Sequence, residues 1–146
     1  MRKFITAIAL ASALGLAMQA GAANSNTNAT PQDMVRDYEA AARRELPDAA
    51  FKANAARGEK FFRTERSTAA GDKMACAACH TADPRQSGQT RAHKKIEPLA
   101  PAANAARFSD PAKVEKWFGR NCNDVLGRPC TAAEKADFIA WLLTVK

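Results

Sequence analysis

In the run MACAACH, residues 74–80, two cysteines stand three positions apart and a histidine directly follows the second. Two thiols at that spacing can add to the two vinyl groups of one haem, and the adjoining histidine then reaches the iron. Cys76 and Cys79 are thus candidates for the thioether bonds and His80 for the proximal ligand. A single motif of this kind predicts one covalent haem c. Zinc bound by Cys76, Cys79, Cys122 and Cys130 is the competing reading. The second pair has seven intervening residues, whereas zinc ligands within a pair are usually separated by roughly two to four. A dithiol redox motif is a third, but no βαβ pattern surrounds these cysteines.

Helices must position these residues. PQDMVRDYEAAARREL, 31–46, starts with proline at its first position, has Asp33 in its first turn and Arg43 and Arg44 in its last. Each placement suits a helix. Met34, Tyr38, Ala41 and Ala42 share a face, and Pro47 is expected to end the helix. A second helix is expected from about Ala49 to Arg63, with Ala55, Gly58, Phe61 and Phe62 on one side. Glycine is costly mid-helix, which points to a neighbour approaching Gly58 closely. Residues 64–75 read as polar loop. Residues 81–108 read as loop wrapped around something, since long structureless stretches are uncommon unless functional. SDPAKVEKWFGRN opens a helix with an Asp110 cap and Pro111 at the first position. TAAEKADFIAWLLTV opens the last one with Thr131 and Glu134 as a capping box, and Ala136, Ile139, Ala140 and Leu143 as its apolar stripe. No strand signal competes, so the expectation is an all-α fold of four to five helices with long loops.

The chain begins with Arg2 and Lys3, an apolar stretch from Phe4 to Met18, and small residues Ala20-Gly21-Ala22. This predicts a secretory signal peptide over 1–22 and a mature protein in the periplasm. A leader and extra helix would follow over 23–48 and the main domain over 49–146. The formal charge is +7, with two positive charges in the signal peptide and a basic cluster, RAHKK, at 91–95. Such a surface keeps a protein soluble or attracts an acidic partner. Export and the lack of an interleaved aromatic platform exclude nucleic acid as a partner.

ARGEKFF, CAACH and FIAWLL resemble, in order, three landmarks of the class I cytochromes c. These are an N-terminal helix with a glycine and an aromatic, the haem motif, and a crossing C-terminal helix with an aromatic. The resemblance implies that fold around the haem and would account for Gly58. The usual sixth ligand of that family is a methionine well downstream of the motif, yet this sequence has no methionine after Met74. Met34, His93, a lysine, an asparagine, water or an empty position remain.

Val114, Trp117, Phe118 and Asn121 fall on one face of the helix from Pro111. The first three are expected to be buried. Asn121 extends the stripe, where an unpaired amide is expensive and a metal would satisfy it. Two alternatives stay open: Asn121 caps a helix end, or His93 is the ligand despite its basic neighbours. Cys122 follows Asn121, and Gly127 lets the chain turn back toward Cys130. In an exported protein the pair is expected to be a disulfide. Closing a loop of about nine residues contributes roughly 2–3 kcal/mol on the chain-entropy model.

RFSDPAKVEKWFGRNCNDVLGRPCTAAEKADFIAWL, with IEPLAP at 96–101, resembles more closely the SHP-type cytochromes c, relatives of cytochrome c″. By position the resemblance implies His80 and Asn121 as the axial ligands and Cys122–Cys130 as a disulfide. It also implies a distal ligand that leaves on reduction, a ferrous site open to oxygen, nitric oxide or carbon monoxide, and partners that include a dihaem cytochrome c and a membrane cytochrome b. The expected function is therefore electron transfer with redox-gated binding of small diatomics. The alternative is a six-coordinate electron shuttle with His93 or another sixth ligand. An enzyme passing electrons to oxygen is a third reading, with no general acid or base evident to support it.

Overall fold

The structure, a computed structural model, describes residues 29–46, 50–68 and 71–146. The signal-peptide reading of 1–22, most of the leader and Pro47 lie outside the described residues. Helix α1, Pro31–Glu45, is capped by Thr30, whose hydroxyl accepts from the Asp33 amide while the Asp33 carboxylate accepts from the Thr30 amide. Its buried face is Met34, Tyr38 and Ala42, with Ala41 half-buried.

Helix α2 is shorter than the sequence predicts: it spans Ala55–Arg63 rather than starting near Ala49. Asn54 supplies the reason, because its side chain caps the helix by accepting from the Arg57 amide. Upstream of the cap, the Ala53 amide donates to Glu39 and the Asn54 amide to Asp137. Those bonds hold the backbone in an extended approach that an earlier helical start would have broken. After two-residue strands β1, Arg66–Ser67, and β2, Lys73–Met74, comes the short helix α3, Ala77–His80. Strands β3, Gly88–Gln89, and β4, Lys95–Ile96, form a second antiparallel ladder. The sequence reading has no strands at all. Ladders of two residues are too short to carry an alternating pattern, so 64–75 and 81–108 look like plain loop.

Helix α4, Pro111–Leu126, is capped by Asp110 and ends at Gly127, which adopts the left-handed conformation. It continues past Asn121, where the sequence reading leaves it. Helix α5, Ala132–Thr144, carries the expected capping box of Thr131 and Glu134. It is buried on more than one face. Phe138, Trp141 and Leu142 join Ala136 and Ile139 in the core, while Ala140 and Leu143 are only half-buried.

The core forms where α2 and α1 pack against α5. Phe62 is fully buried, with its ring centroid 4.8 Å from Trp141 and 6.1 Å from Phe138. Burying a side chain of this size contributes about 1.5–3 kcal/mol, and each well-placed aromatic pair about 0.5–1.5 kcal/mol more. Helix α1 is therefore part of the core and no loose appendage. It also reaches α4: Tyr38 packs edge-on to Phe118 at 6.0 Å and donates to the Glu115 carboxylate, which Lys135 of α5 also holds.

Gly58 marks the α2–α5 crossing. A Cβ there would stand 2.0 Å from the Asp137 carbonyl oxygen. The backbones touch because there is no side chain between them. Gly58→Ala should therefore lose more from overpacking, about 1–3 kcal/mol, than the ~1 kcal/mol it gains in helix propensity. The midpoint of guanidinium unfolding checks this, with a lowered midpoint expected. Asp137 itself is buried and bonded bidentately to Arg57 at 2.7 and 2.8 Å. It ties α5 to the start of α2 from the other side of the same crossing.

Candidate functional site

The backbone around Cys76 is already helical (φ −57°, ψ −37°). The Cys79 and His80 amides both donate to the Cys76 carbonyl. One turn thus gathers the two thiols and the imidazole, as the motif predicts. Thr81, in left-handed backbone, stops the helix at once. From outside, the β3–β4 hairpin presses on this turn. A Cβ on Gly88 would sit 2.0 Å from the Cys79 carbonyl oxygen, so glycine is required there. No sequence signal pointed to Gly88.

Both thiols are free and half-buried. Burial pushes the Cys76 thiol up, against the opposing pull of the Arg66 charge. His80 is the stronger indication. Burial, and then the charge of Arg107, pull its imidazole down to about 4. At neutral pH it is uncharged, as an iron ligand must be. Its Nδ1 is buried and has no hydrogen-bond partner among the described residues. Two unpaired thiols beside a neutral, unsatisfied imidazole fit a covalently bound haem.

On α4, Val114 is buried and Phe118 half-buried, with its ring 5.6 Å from Phe138. Trp117 departs from expectation: it is 41% exposed, with the Arg120 guanidinium over its ring. It stands one turn before Asn121, and the contacts of α1 and α5 with α4 run through Glu115 and Phe118. Asn121 is half-buried on the stripe. It is not a helix cap, because the helix runs a further turn and Gly127 caps it. The neighbouring Asn123 bonds back to the Gly119 carbonyl, whereas no hydrogen bond engages the Asn121 amide among the described residues.

Cys122 and Cys130 are both buried, with Cα atoms 5.6 Å apart and sulfurs within bonding distance. The pair joins the last turns of α4 to the cap of α5, directly beside Asn121. Cysteines paired in this way do not ligate zinc, and no group of three metal-binding side chains occurs among the described residues. We predict that the unreduced protein weighs two hydrogens less than its dithiol form, read by intact-mass spectrometry. Ready alkylation of Cys122 or Cys130 without reductant would be the contrary result.

The rival ligands sit elsewhere. His93 is exposed at the tip of the β3–β4 hairpin, in left-handed backbone. Met34 is 3% exposed in the apolar core. Met74 is half-buried on β2, next to the Arg91 guanidinium.

A helix crossing closed by a glycine, with a Cys-x-x-Cys-His turn beside it, defines a haem protein of the class I cytochrome c fold. A family model described as a domain of unknown function (DUF1924) matches residues 48–142, a span that leaves out α1. Cytochrome c-type protein SHP of Cereibacter sphaeroides is 47% identical over 113 residues, covering 77% of this chain and 82% of that protein. The solved structure of oxidized SHP, an oxygen binding cytochrome c, is similar at a TM-score of 0.71 and 45% identity, covering 80% of this chain and 98% of the other. The solution structure of Methylophilus methylotrophus cytochrome c″, described as giving insight into haem-ligand detachment, is similar at 0.69 and 40% identity, covering 78% and 92%. The chain belongs to the family of SHP and cytochrome c″, and it is a monohaem cytochrome carrying covalent haem c.

Proposed function

We propose that Cys76 and Cys79 bond the haem, that His80 and Asn121 are its axial ligands, and that Asn121 releases the iron on reduction. The haem supplies a one-electron couple and two axial positions at its iron. His80 is suited to the proximal one by its neutral, partly buried imidazole. Asn121 offers an amide oxygen, a hard, neutral and weak donor that favours ferric over ferrous iron. Its hold would therefore weaken on reduction, leaving room for a small diatomic such as oxygen, nitric oxide or carbon monoxide. The Cys122–Cys130 bridge fixes the end of α4, so that the amide moves without the helix unwinding. Oxygen binding in SHP and ligand detachment in cytochrome c″ support the same reading here. The protein would work in the periplasm, exchanging electrons with a dihaem cytochrome c and a membrane cytochrome b.

The observation that carries this reading is the half-buried Asn121 on α4, whose amide has no hydrogen-bond partner among the described residues, in a chain with no methionine beyond Met74. Stopped-flow mixing of the reduced protein with carbon monoxide tests it. The observed rate should rise linearly with carbon monoxide concentration. A rate that levels off would mean that a resident ligand must leave first, and would overturn the proposal.

A further inference from the structure

Glu115, Phe118 and Cys122 fall at i, i+3 and i+7 of α4, so they form one ridge along the helix. Each member of the ridge is tied to another part of the chain. The Glu115 carboxylate accepts from the Tyr38 hydroxyl of α1 and, at 2.8 and 3.0 Å, from the Lys135 ammonium of α5. The Phe118 ring meets Tyr38 edge-on at 6.0 Å and Phe138 at 5.6 Å. Cys122 is joined to Cys130, just before the cap of α5. Asn121 lies beside this ridge, between Phe118 and Cys122.

Tyr38 is the common partner of the first two ties. It is buried, and the Lys135 ammonium stands 5.1 Å from its ring centroid and 5.8 Å from that of Phe118. Burial, and then the bond to Glu115, push the Tyr38 hydroxyl above its ordinary value, so it remains a donor. A hydroxyl bonded to a carboxylate is a strong and directional contact. The ion pair between Glu115 and Lys135 contributes less, because the Glu115 side chain is 52% exposed. Three fixed points on one ridge set the rotation of α4 about its axis and its position along it. They thereby set where Asn121 points. Helix α1, which supplies Tyr38, lies outside the residues that the family model matches.

We propose that Tyr38 and Glu115 are positioning residues for the distal ligand: by fastening α4 to α1 and α5, they hold Asn121 to the ferric iron. The proposal rests on Asn121 as that ligand. An amide oxygen is a weak donor, so its hold depends on the side chain being kept in place. A looser α4 lets the amide leave the ferric iron more often, and an incoming anion then enters sooner. The ferrous state, in which Asn121 has already let go, is insensitive to the same change.

Tyr38→Phe keeps the ring and removes the hydroxyl bond. Glu115→Ala removes the acceptor from a position half exposed to solvent. Stopped-flow mixing of the haem-loaded variants measures azide binding to the ferric protein and carbon monoxide binding to the ferrous protein. Asn121→Ala serves as the reference for a ligand removed outright. Azide binding should quicken about threefold or more in both variants, the size expected of coupling through packed side chains, while carbon monoxide binding stays unchanged. Hydrogen exchange of the ferric protein, read by mass spectrometry, should quicken in α4 around Asn121 and stay unchanged in α2. Should Glu115→Ala fail to accumulate, Tyr38→Phe decides by the same split. Unchanged azide binding in both variants, with Asn121→Ala faster, would overturn the proposal and leave the ligand assignment standing. Equal acceleration of azide and carbon monoxide would also overturn it, because general loosening of the haem pocket would then be the cause. An Asn121→Ala variant no faster than the unsubstituted protein would overturn the ligand assignment itself, and the proposal with it.

Discussion

Asn121→Met should convert the protein into a low-spin, six-coordinate cytochrome in both oxidation states. A thioether is a soft ligand that suits ferrous iron far better than an amide oxygen does, so it should not let go when an electron arrives. The side chain projects from the same point of α4, one residue before a buried cysteine whose partner anchors α5. That anchorage limits how far the helix can retreat. Carbon monoxide would then have to wait for the thioether to dissociate. Each ~1.4 kcal/mol of bond that must break first slows entry about tenfold, so binding at least tenfold slower is expected. Stopped-flow traces and the ferrous absorption spectrum read the two effects separately. His93→Ala should leave both unchanged, because His93 is exposed at the hairpin tip. A slow-binding wild type accelerated by His93→Ala would reverse the assignment.

Cys76→Ala combined with Cys79→Ala should yield a protein with no covalent haem. These are the two free thiols of the chain, since the other two cysteines are joined. Acid–acetone extraction should remove all haem colour from the double variant and none from the unsubstituted protein. Haem remaining on the polypeptide would defeat the assignment.

The parts of the fold that were legible in the sequence were those with strong local rules. The Asp110–Pro111 start of α4, the Thr131/Glu134 box of α5 and the Cys-x-x-Cys-His turn each announce themselves within a few residues. Gly58 was legible for another reason: a glycine inside a helix needs an excuse, and the Asp137 carbonyl is that excuse. What was missed depends on partners distant in the chain. The late start of α2 follows from Asn54 bonding to Asp137, which lies 83 residues away. Asp137 gave a faint signal, as an acid in the otherwise apolar run DFIAWLL. Trp117 was expected to be buried because it lies on the same helical stripe as Val114. Sequence periodicity identifies a stripe but not which of its members the neighbouring helices touch, and α1 and α5 meet α4 through Glu115 and Phe118.

The central point is whether the distal side opens with reduction. Resonance Raman of the unsubstituted protein, ferric and then dithionite-reduced, measures this directly through the bands that mark coordination and spin state. A six-coordinate ferric haem and a five-coordinate, high-spin ferrous haem are expected. A ferrous spectrum that is six-coordinate and low-spin, and does not respond to carbon monoxide, would contradict it.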